Sequence, residues 1–497
     1  MSEFSDFLDL ASERVGGRVL AANDDFFAPK ENLIKAAKPI WLEDKYSDRG
    51  KWMDGWESRR RRTPGHDWCI LQLGISGVIS QIVVDTSYFR GNFPESCSLE
   101  ACAIEQSNVD LAGGTPWTEL LSRSQLQGDS QNTFTITDPH RYTHVRLNIY
   151  PDGGVARLRV FGEAVPKLEG ALNSADLNDL AALTNGGRVL DCSDRFFSAP
   201  QNLLMPDPSS GMHDGWETKR RRGPGHDWVI IQLGVAGAVQ AIEVDTSYFK
   251  GNFPESCSLE ICAHESRASD LANCSWSELL SRTSLSADSV HRFQVEGQMV
   301  ATHVRFNIYP DGGVARLRVY GVPQKCALTK ARLRWLNALP DYAASSVLLN
   351  CCGSLKWAVA MTEHRPFADL KQLTDQHAAS CERMTPDDWK EAFASHPQIG
   401  EEKESISSGQ ARRWSQQEQS RAAVASLQVR NALQRRNQEY YERFGYIFIV
   451  CASEKSAEEI LELLTDRLSN DAARELQVAA GEQKKITQLR LQKLIEA

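Results

Sequence analysis

Two stretches of this 497-residue chain set histidine, carboxylate and arginine side chains at spacings suited to proton transfer and to binding a small anion. The first stretch runs Asp54-Gly-Trp-Glu57, then four arginines, then Pro-Gly-His66-Asp67-Trp68. It returns as Asp214-Gly-Trp-Glu217, one lysine and three arginines, and Pro-Gly-His226-Asp227-Trp228. A carboxylate and a histidine on a loop bounded by glycine and proline can activate water. Guanidinium groups offer planar forks to a carboxylate or a urea-type oxygen. On this reading Glu57, His66, Glu217 and His226 are catalytic candidates, and Asp54, Asp67, Asp214 and Asp227 bind substrate. The other reading stays open: His66 and Asp67 hold a turn, the tryptophans plug a core, and the basic run is a solvated face. A nearby block, Tyr88-Phe-Arg-Gly-Asn92-Phe-Pro-Glu95, also appears twice and suits either a pocket wall or a strand-end turn.

The second stretch lies near the C-terminus. Proline drives the residue before it away from the helical region, so in Ser395-His396-Pro397 the histidine sits at a helix end or in a loop, free to face a cleft. Trp414 and Glu418 are four apart, one helical turn, and a carboxylate beside a buried tryptophan is either paired or functional. Arg490 follows Ile486 by four and Leu489 by one, within an apolar stripe, and an inward arginine needs an anion. Each residue alone reads as structural; His396, Glu418 and Arg490 together in one small helical region favour a site.

These residues must be positioned by a duplicated body and a separate tail. Asp85–Glu100 recurs from Asp245 with only Arg90 changed to Lys250, and Asn148–Gly162 recurs from Asn307 with only Phe161 changed to Tyr320. Two units of about 160 residues follow, each long enough to own a core. Within them apolar residues alternate, as in Val145, Leu147 and Ile149 or Val304, Phe306 and Ile308, which is the strand period. Two tandem all-β sandwiches are expected. After Gly321 the composition turns to Ala, Leu, Glu, Gln, Arg and Lys, with Val322–Lys325 expected as a linker and the rest as an all-α domain. Helices are expected over Ala457–Leu468 and Glu482–Ile495, with another starting at Pro386–Asp387. The domains are therefore read as 1–165, 166–322 and 326–497.

Composition narrows the partners. Lys plus Arg number 56 against 65 Asp plus Glu, a formal charge of −9, which argues against a nucleic-acid binder. Neither a secretory leader nor an apolar run of membrane-spanning length is present, so no membrane is expected and the cytoplasm is the expected compartment. Twelve cysteines without a Cys-x-x-Cys pair read as reduced thiols, and no metal is expected, because the histidines and acids lack a tight ligand spacing.

DGWExxRRRxPGHDW, DTSYFxGNxPE and NIYPDGG-ARLRVFG, each present twice, resemble the allantoicase family over about residues 15 to 322. The resemblance implies two jelly-roll-like domains and hydrolysis of allantoate to ureidoglycolate and urea. HPQIG, WSxxEQ, the run Tyr441–Val450 and KITQLRLQKL resemble the 2-oxo-4-hydroxy-4-carboxy-5-ureidoimidazoline (OHCU) decarboxylase family over about residues 326–497. That resemblance implies His396 as acid/base, Glu418 as its carboxylate partner and Arg490 as the third functional group. It implies substrate contacts from Pro397, Ser415, Gln419, Tyr446, Ile447, Phe448, Ile449 and Val450. The adjacent C=N and C=O groups of the ring can take up the charge left by CO₂, so no cofactor is called for, and a positioned histidine would yield (S)-allantoin. The two resemblances imply a bifunctional enzyme of ureide catabolism acting on small ureides (allantoate and OHCU), with a homo-oligomer expected. The alternative is that the β-sandwiches form a ligand-binding module without chemistry, attached to the decarboxylase.

Overall fold

The computed structural model describes residues 7–105, 116–168, 177–264, 274–295, 299–396, 427–453 and 455–496, together with Trp414. Two compact units divide the chain, Met1–Leu339 and Pro340–Ala497.

In the first unit each repeat is a β-sandwich built around one long strand. Asp67–Asp85 spans 19 residues. Its first part pairs with Arg18–Ala22 on one side and Arg141–Tyr150 on the other. Its last part pairs with Gln131–Thr135 and Arg157–Ala164. One bent strand therefore serves two layers, and the alternation read from the sequence places Val145, Leu147 and Ile149, all fully buried, between them. Asp227–Asp245 plays the same part in the second repeat, with Val304, Phe306 and Ile308 inward. Across the repeats, the Arg14 guanidinium bonds Asp207 at 3.3 Å and Asn202 at 3.2 Å, and Arg188 meets Glu163 at 3.0 Å.

Val322–Lys325 is not a loose linker. The strand Arg316–Pro323 continues through Val322 and Pro323, the Gln324 amide bonds the Ala236 carbonyl at 2.8 Å, and a helix starts at once over Lys325–Ala338. That helix packs Leu328, Ala327 and Ala331 on Val235 and Leu168 of the β unit. Val322 and Pro323 still carry the strand alternation, which a composition shift does not register.

The second unit is helical: Asp341–Cys352, Leu355–Glu363, Leu370–Glu382, Pro386–Ala394, Leu427–Phe444, Ala457–Arg467 and Ala472–Glu496. Thr385 and Asp388 form a capping box ahead of Pro386–Ala394, and Ser456 and Glu459 do so ahead of Ala457–Arg467. The last helix begins ten residues before the expected Glu482, because Asp471 accepts the amides of Ala473 (3.1 Å) and Arg474 (2.9 Å) and starts it there. Among the described residues no helix is long and apolar enough to cross a membrane.

Candidate active sites

In the first repeat three distant motifs meet at one carboxylate. Trp56–Glu57 pairs antiparallel with Gly154–Val155. The Trp56 ring is fully buried, with its indole N–H on the Asp24 carbonyl at 2.8 Å, which fixes Glu57 beside it. The Ser58 amide donates to the Gly153 carbonyl at 3.2 Å, and the Arg61 amide donates to the Asp152 carboxylate at 2.7 Å. Asn92 closes the arrangement: its side-chain amide donates to Glu57 Oε1 at 2.7 Å and its carbonyl accepts the Gly154 amide at 2.8 Å. Gly153 sits at φ +133°, and a Cβ there would lie 2.8 Å from the Asn92 carbonyl oxygen, so this junction requires glycine.

The result is a cleft of about 650 Å³, in which Glu57, Arg60, Arg61, Asn92, Glu95 and Asp152 are polar and Phe27 and Phe93 are apolar walls. Burial pushes the Glu57 carboxyl above the ordinary glutamate range, and the Asn92 hydrogen bond only partly opposes this. A half-buried acid of raised pKa in a cleft that two arginines also line can hold a proton, return it, and work on a bound anion. The second repeat rebuilds the core of this arrangement. Trp216–Glu217 pairs with Gly313–Val314, the Asn252 amide donates to Glu217 Oε1 at 2.5 Å, and the Arg221 amide donates to Asp311 at 2.8 Å.

The remaining sequence candidates go elsewhere. Asp54 is buried against Arg157 at 2.7 Å; burial alone would lift its carboxyl, but Arg157 and the Ile40 amide hold it below the usual range. Asp214 repeats this with Arg316 at 3.2 Å and Arg14. Asp67 accepts from Asn23 at 2.7 Å and faces Arg61 at 3.5 Å, while Asp227 accepts from Ser193 at 3.0 Å and pairs with Arg221. All four carboxylates hold the loops that carry Glu57 and Glu217. His66 and His226 do not line the Glu57 cleft: each ring lies 4.8 Å from a tyrosine, Tyr150 or Tyr309, and His226 faces a separate hollow. Asp152 and Asp311 were missed in the sequence, although the repeat of Pro-Asp-Gly-Gly offered the signal.

In the helical unit His396 follows the last residues of Pro386–Ala394, its amide on the Phe393 carbonyl at 3.1 Å. The residue is half-buried, but Nε2 is buried and has no protein partner among the described residues. Burial and then the Arg490 charge push its pKa down to about 3. Arg490 is 2% exposed, so the helix Ala472–Glu496 does turn it inward, on the face that carries Gln483 and Thr487. Gln483 is itself held, its amide donating to the Cys352 carbonyl at 3.2 Å and to Thr487 at 3.3 Å. The segment Tyr446–Val450 is pinned nearby in space: Arg467 donates to the Ile449 carbonyl at 2.8 Å, the Cys451 amide donates to Glu482 at 2.8 Å, and the Tyr446 ring lies 5.2 Å from Phe393. Tyr446, Phe448, Ile449 and Val450 are buried, and Ile447 is half-buried. His396 and Arg490 are thus brought together. Pro397, Ser415, Glu418 and Gln419 lie outside the described residues. Gln483 and Thr487 went unread in the sequence, although their spacing of seven and three before Arg490 puts them on its face.

Gly353 sets the seat of His396. It has φ +86°, and a Cβ there would meet Ser395 Oγ at 2.1 Å. Gly353→Ala is expected to destabilise the helical unit by about 1–2 kcal/mol and to displace Ser395 with His396. A thermal melt alongside a decarboxylation assay checks both effects.

Among the described residues no three or more His, Cys, Asp or Glu side chains are grouped to hold a metal ion. Comparison with known proteins gives two family matches. The allantoicase repeat model matches residues 8–165 and 178–324, and the OHCU decarboxylase model matches residues 337–492. The chain is 46% identical over 327 residues to a probable allantoicase of Pseudomonas paraeruginosa, covering 65% of this chain and 97% of that protein. It is likewise 46% identical over 324 residues to one of Photobacterium profundum, covering 64% and 97%. The crystal structure of allantoicase from Saccharomyces cerevisiae superposes with a TM-score of 0.54 at 34% identity, covering 64% of this chain and 94% of that one.

Proposed function

We propose, from the premise that this chain belongs to the allantoicase family and carries an OHCU decarboxylase domain after its two allantoicase repeats, that Glu57 and Glu217 serve the hydrolysis of allantoate and His396 with Arg490 the decarboxylation of OHCU. The protein is a bifunctional enzyme of purine catabolism. The observation that carries the first assignment is the half-buried Glu57–Asn92 pair in an arginine-lined cleft, repeated as Glu217–Asn252. A binding module without chemistry is not favoured, because the allantoicase match extends over both repeats.

Allantoate carries one carboxylate and two ureido groups on a single carbon. Arg60 and Arg61 suit the carboxylate. The bond that breaks joins the central carbon to one ureido nitrogen. Glu57 in its protonated form gives a proton to that nitrogen as it departs in urea, while the lone pair of the remaining ureido nitrogen fills in behind it. The resulting carboxylate then takes a proton from the water that adds to the carbon, which regenerates the acid and leaves ureidoglycolate. A raised pKa lets one group do both.

In the helical unit a neutral His396 with Nε2 unengaged is a base. It takes the hydroxyl proton of OHCU; the carbon–carboxylate bond breaks, its electron pair passes into the adjacent C=N of the ring, whose nitrogen takes a proton from solvent, and the proton returned to carbon from the His396 side gives one enantiomer, (S)-allantoin. Arg490 suits the substrate carboxylate. That anion offsets the Arg490 charge, which after burial is the second cause holding the ring's pKa down, so the histidine gains proton affinity when substrate is bound.

The working form is taken as a cytoplasmic homo-oligomer. Support comes from the exposed ring pairs Phe26–Phe27 and Phe196–Phe197, the latter 64% and 60% exposed, and from twelve free cysteines. The full chain given allantoate is expected to release urea and form ureidoglycolate. Given OHCU it is expected to release CO₂ and form a product with the circular dichroism of (S)-allantoin. Absence of either product removes the corresponding assignment.

A further inference from the structure

The strand Val300–Tyr309 turns Val304, Phe306 and Ile308 into the core and Arg305, Asn307 and Tyr309 to the opposite face. That outer face should be solvated, yet Asn307 is only 2% exposed. It lies at the bottom of a hollow of about 380 Å³. Register explains how the hollow is built: Asn307 sits between Trp228 and Ser258 on its two neighbouring strands, and Arg305 is opposite Glu260.

The hydrogen bonds fix what this hollow offers. The Asn307 side-chain amide donates to Ser258 Oγ at 3.1 Å and to Glu260 at 3.0 Å, so it cannot be flipped, and its Oδ1 is left buried with no protein donor among the described residues. Ser258 is shared with the Tyr309 hydroxyl at 3.0 Å. Arg305 holds Glu260 through Nε at 2.6 Å and Nη2 at 2.7 Å, which leaves Nη1 as a donor. Glu278 adds a second carboxylate among the lining side chains, against the one guanidinium.

The first repeat carries the same array. Asn148 lies between Trp68 and Ser98 and donates to Ser98 at 3.1 Å and Glu100 at 2.8 Å. Glu100 is held by Arg146 at 2.7 Å, and Asn148 Oδ1 is again buried without a protein donor among the described residues. A buried acceptor left unmatched costs about 1–3 kcal/mol, and here it occurs at equivalent positions of both repeats.

We propose that this strand face is a binding site for a small neutral ureide, one per repeat, separate from the Glu57 and Glu217 positions. The Tyr309 ring is already packed by His226 at 4.8 Å and Arg282 at 4.3 Å, but a ureido group is planar and suits the aromatic wall Trp228. One of its N–H groups meets Asn307 Oδ1, its carbonyl accepts from Arg305 Nη1, and its second nitrogen faces a carboxylate. A simple amide lacks that second nitrogen. The excess of carboxylate among the lining residues disfavours an acidic ligand, so the site takes a neutral ureide in preference to one bearing a carboxylate. The ligand class follows from the hollow's own groups and stands whether or not Glu57 is the acid of the hydrolysis.

Hydantoin, a neutral ring ureide, is the probe. Titrated into the full chain with saturation-transfer NMR, it is expected to bind saturably, while methyl α-glucoside does not. Asn148→Leu with Asn307→Leu should weaken binding at least tenfold, and Trp68→Ala with Trp228→Ala, which changes only the outer face, should do the same if the leucine variant fails to fold. Binding should survive Glu57→Gln with Glu217→Gln. A crystal of the full chain soaked in hydantoin should place a ring nitrogen within hydrogen-bond distance of Asn307 Oδ1. Binding that the tryptophan variant leaves untouched, preference for the sugar, or hydantoin held only in the Glu57 cleft would overturn the proposal.

Discussion

Replacing Glu57 and Glu217 together by glutamine in the full chain is expected to lower urea release from allantoate by about 10²- to 10⁴-fold, the range a general acid–base group contributes, with CO₂ release from OHCU unchanged. Glutamine keeps the shape and can still accept from Asn92 and Asn252, which bond the glutamates at 2.7 and 2.5 Å, so the effect isolates the missing proton. Stability should move the other way. Burial raises the Glu57 pKa in the folded protein, so at neutral pH ionisation of this carboxyl costs folded stability, and the cost appears as pH rises through the ordinary range and beyond it. The neutral isostere removes that cost, and the Glu57→Gln protein should melt no lower than the parent at pH 7. Because Glu57 must start protonated, urea release in the parent should fall as pH rises through its pKa, and this alkaline limb should sit above the usual glutamate range for the same reason. A urea assay across pH, paired with thermal melts, decides the matter. Full urea release by the double variant would move the chemistry to other residues, and the two single variants report whether one repeat or both contribute.

The duplication and the strand period were legible because each is a local or self-referring pattern. The meeting of Glu57 with Asn92, 35 residues on, and of Arg61 with Asp152, 91 residues on, was not, since it is created by strand pairing. The same limit explains the acids. Asp54 reads like a ligand until Arg157, 103 residues away, is seen against it, and only then does its low exposure make sense as a neutralised pair holding a loop. His66 immediately precedes the strand that starts at Asp67, and the pairing of that strand with Arg141–Tyr150 carries its ring to Tyr150, away from Glu57. Nothing in the spacing of nine between Glu57 and His66 distinguishes one loop face from the other. Arg490 was legible because helical periodicity is local: four residues after Ile486 is the same side of a helix. The first ten residues of that helix escaped, since Ala472–Gly481 has few large apolar residues to show a period, and its start depends on the Asp471 cap.

His396→Ala is expected to reduce CO₂ release by about 10²- to 10⁴-fold with urea release intact, and the parent's pH profile should show why. A histidine held at about 3 in the free enzyme is neutral at ordinary pH, so kcat/KM, which reports the free enzyme, should show no limb near the ordinary histidine value of about 6.5. Stability supplies the limb. His396 and His377, the latter pushed to about 4 mainly by burial, bind fewer protons in the folded than in the unfolded chain between those values and about 6.5. Their contribution is constant above that window and is lost progressively as pH falls through it. Acid loss of decarboxylation should therefore track unfolding of the helical unit, which far-UV ellipticity follows at the same pH values. His396→Asn should abolish turnover yet flatten the acid dependence of the melt, since the asparagine binds no proton in either state. A pKa near 6.5 in kcat/KM with the fold intact, or CO₂ release retained in His396→Ala, would show that the imidazole is packing and that another group handles the proton.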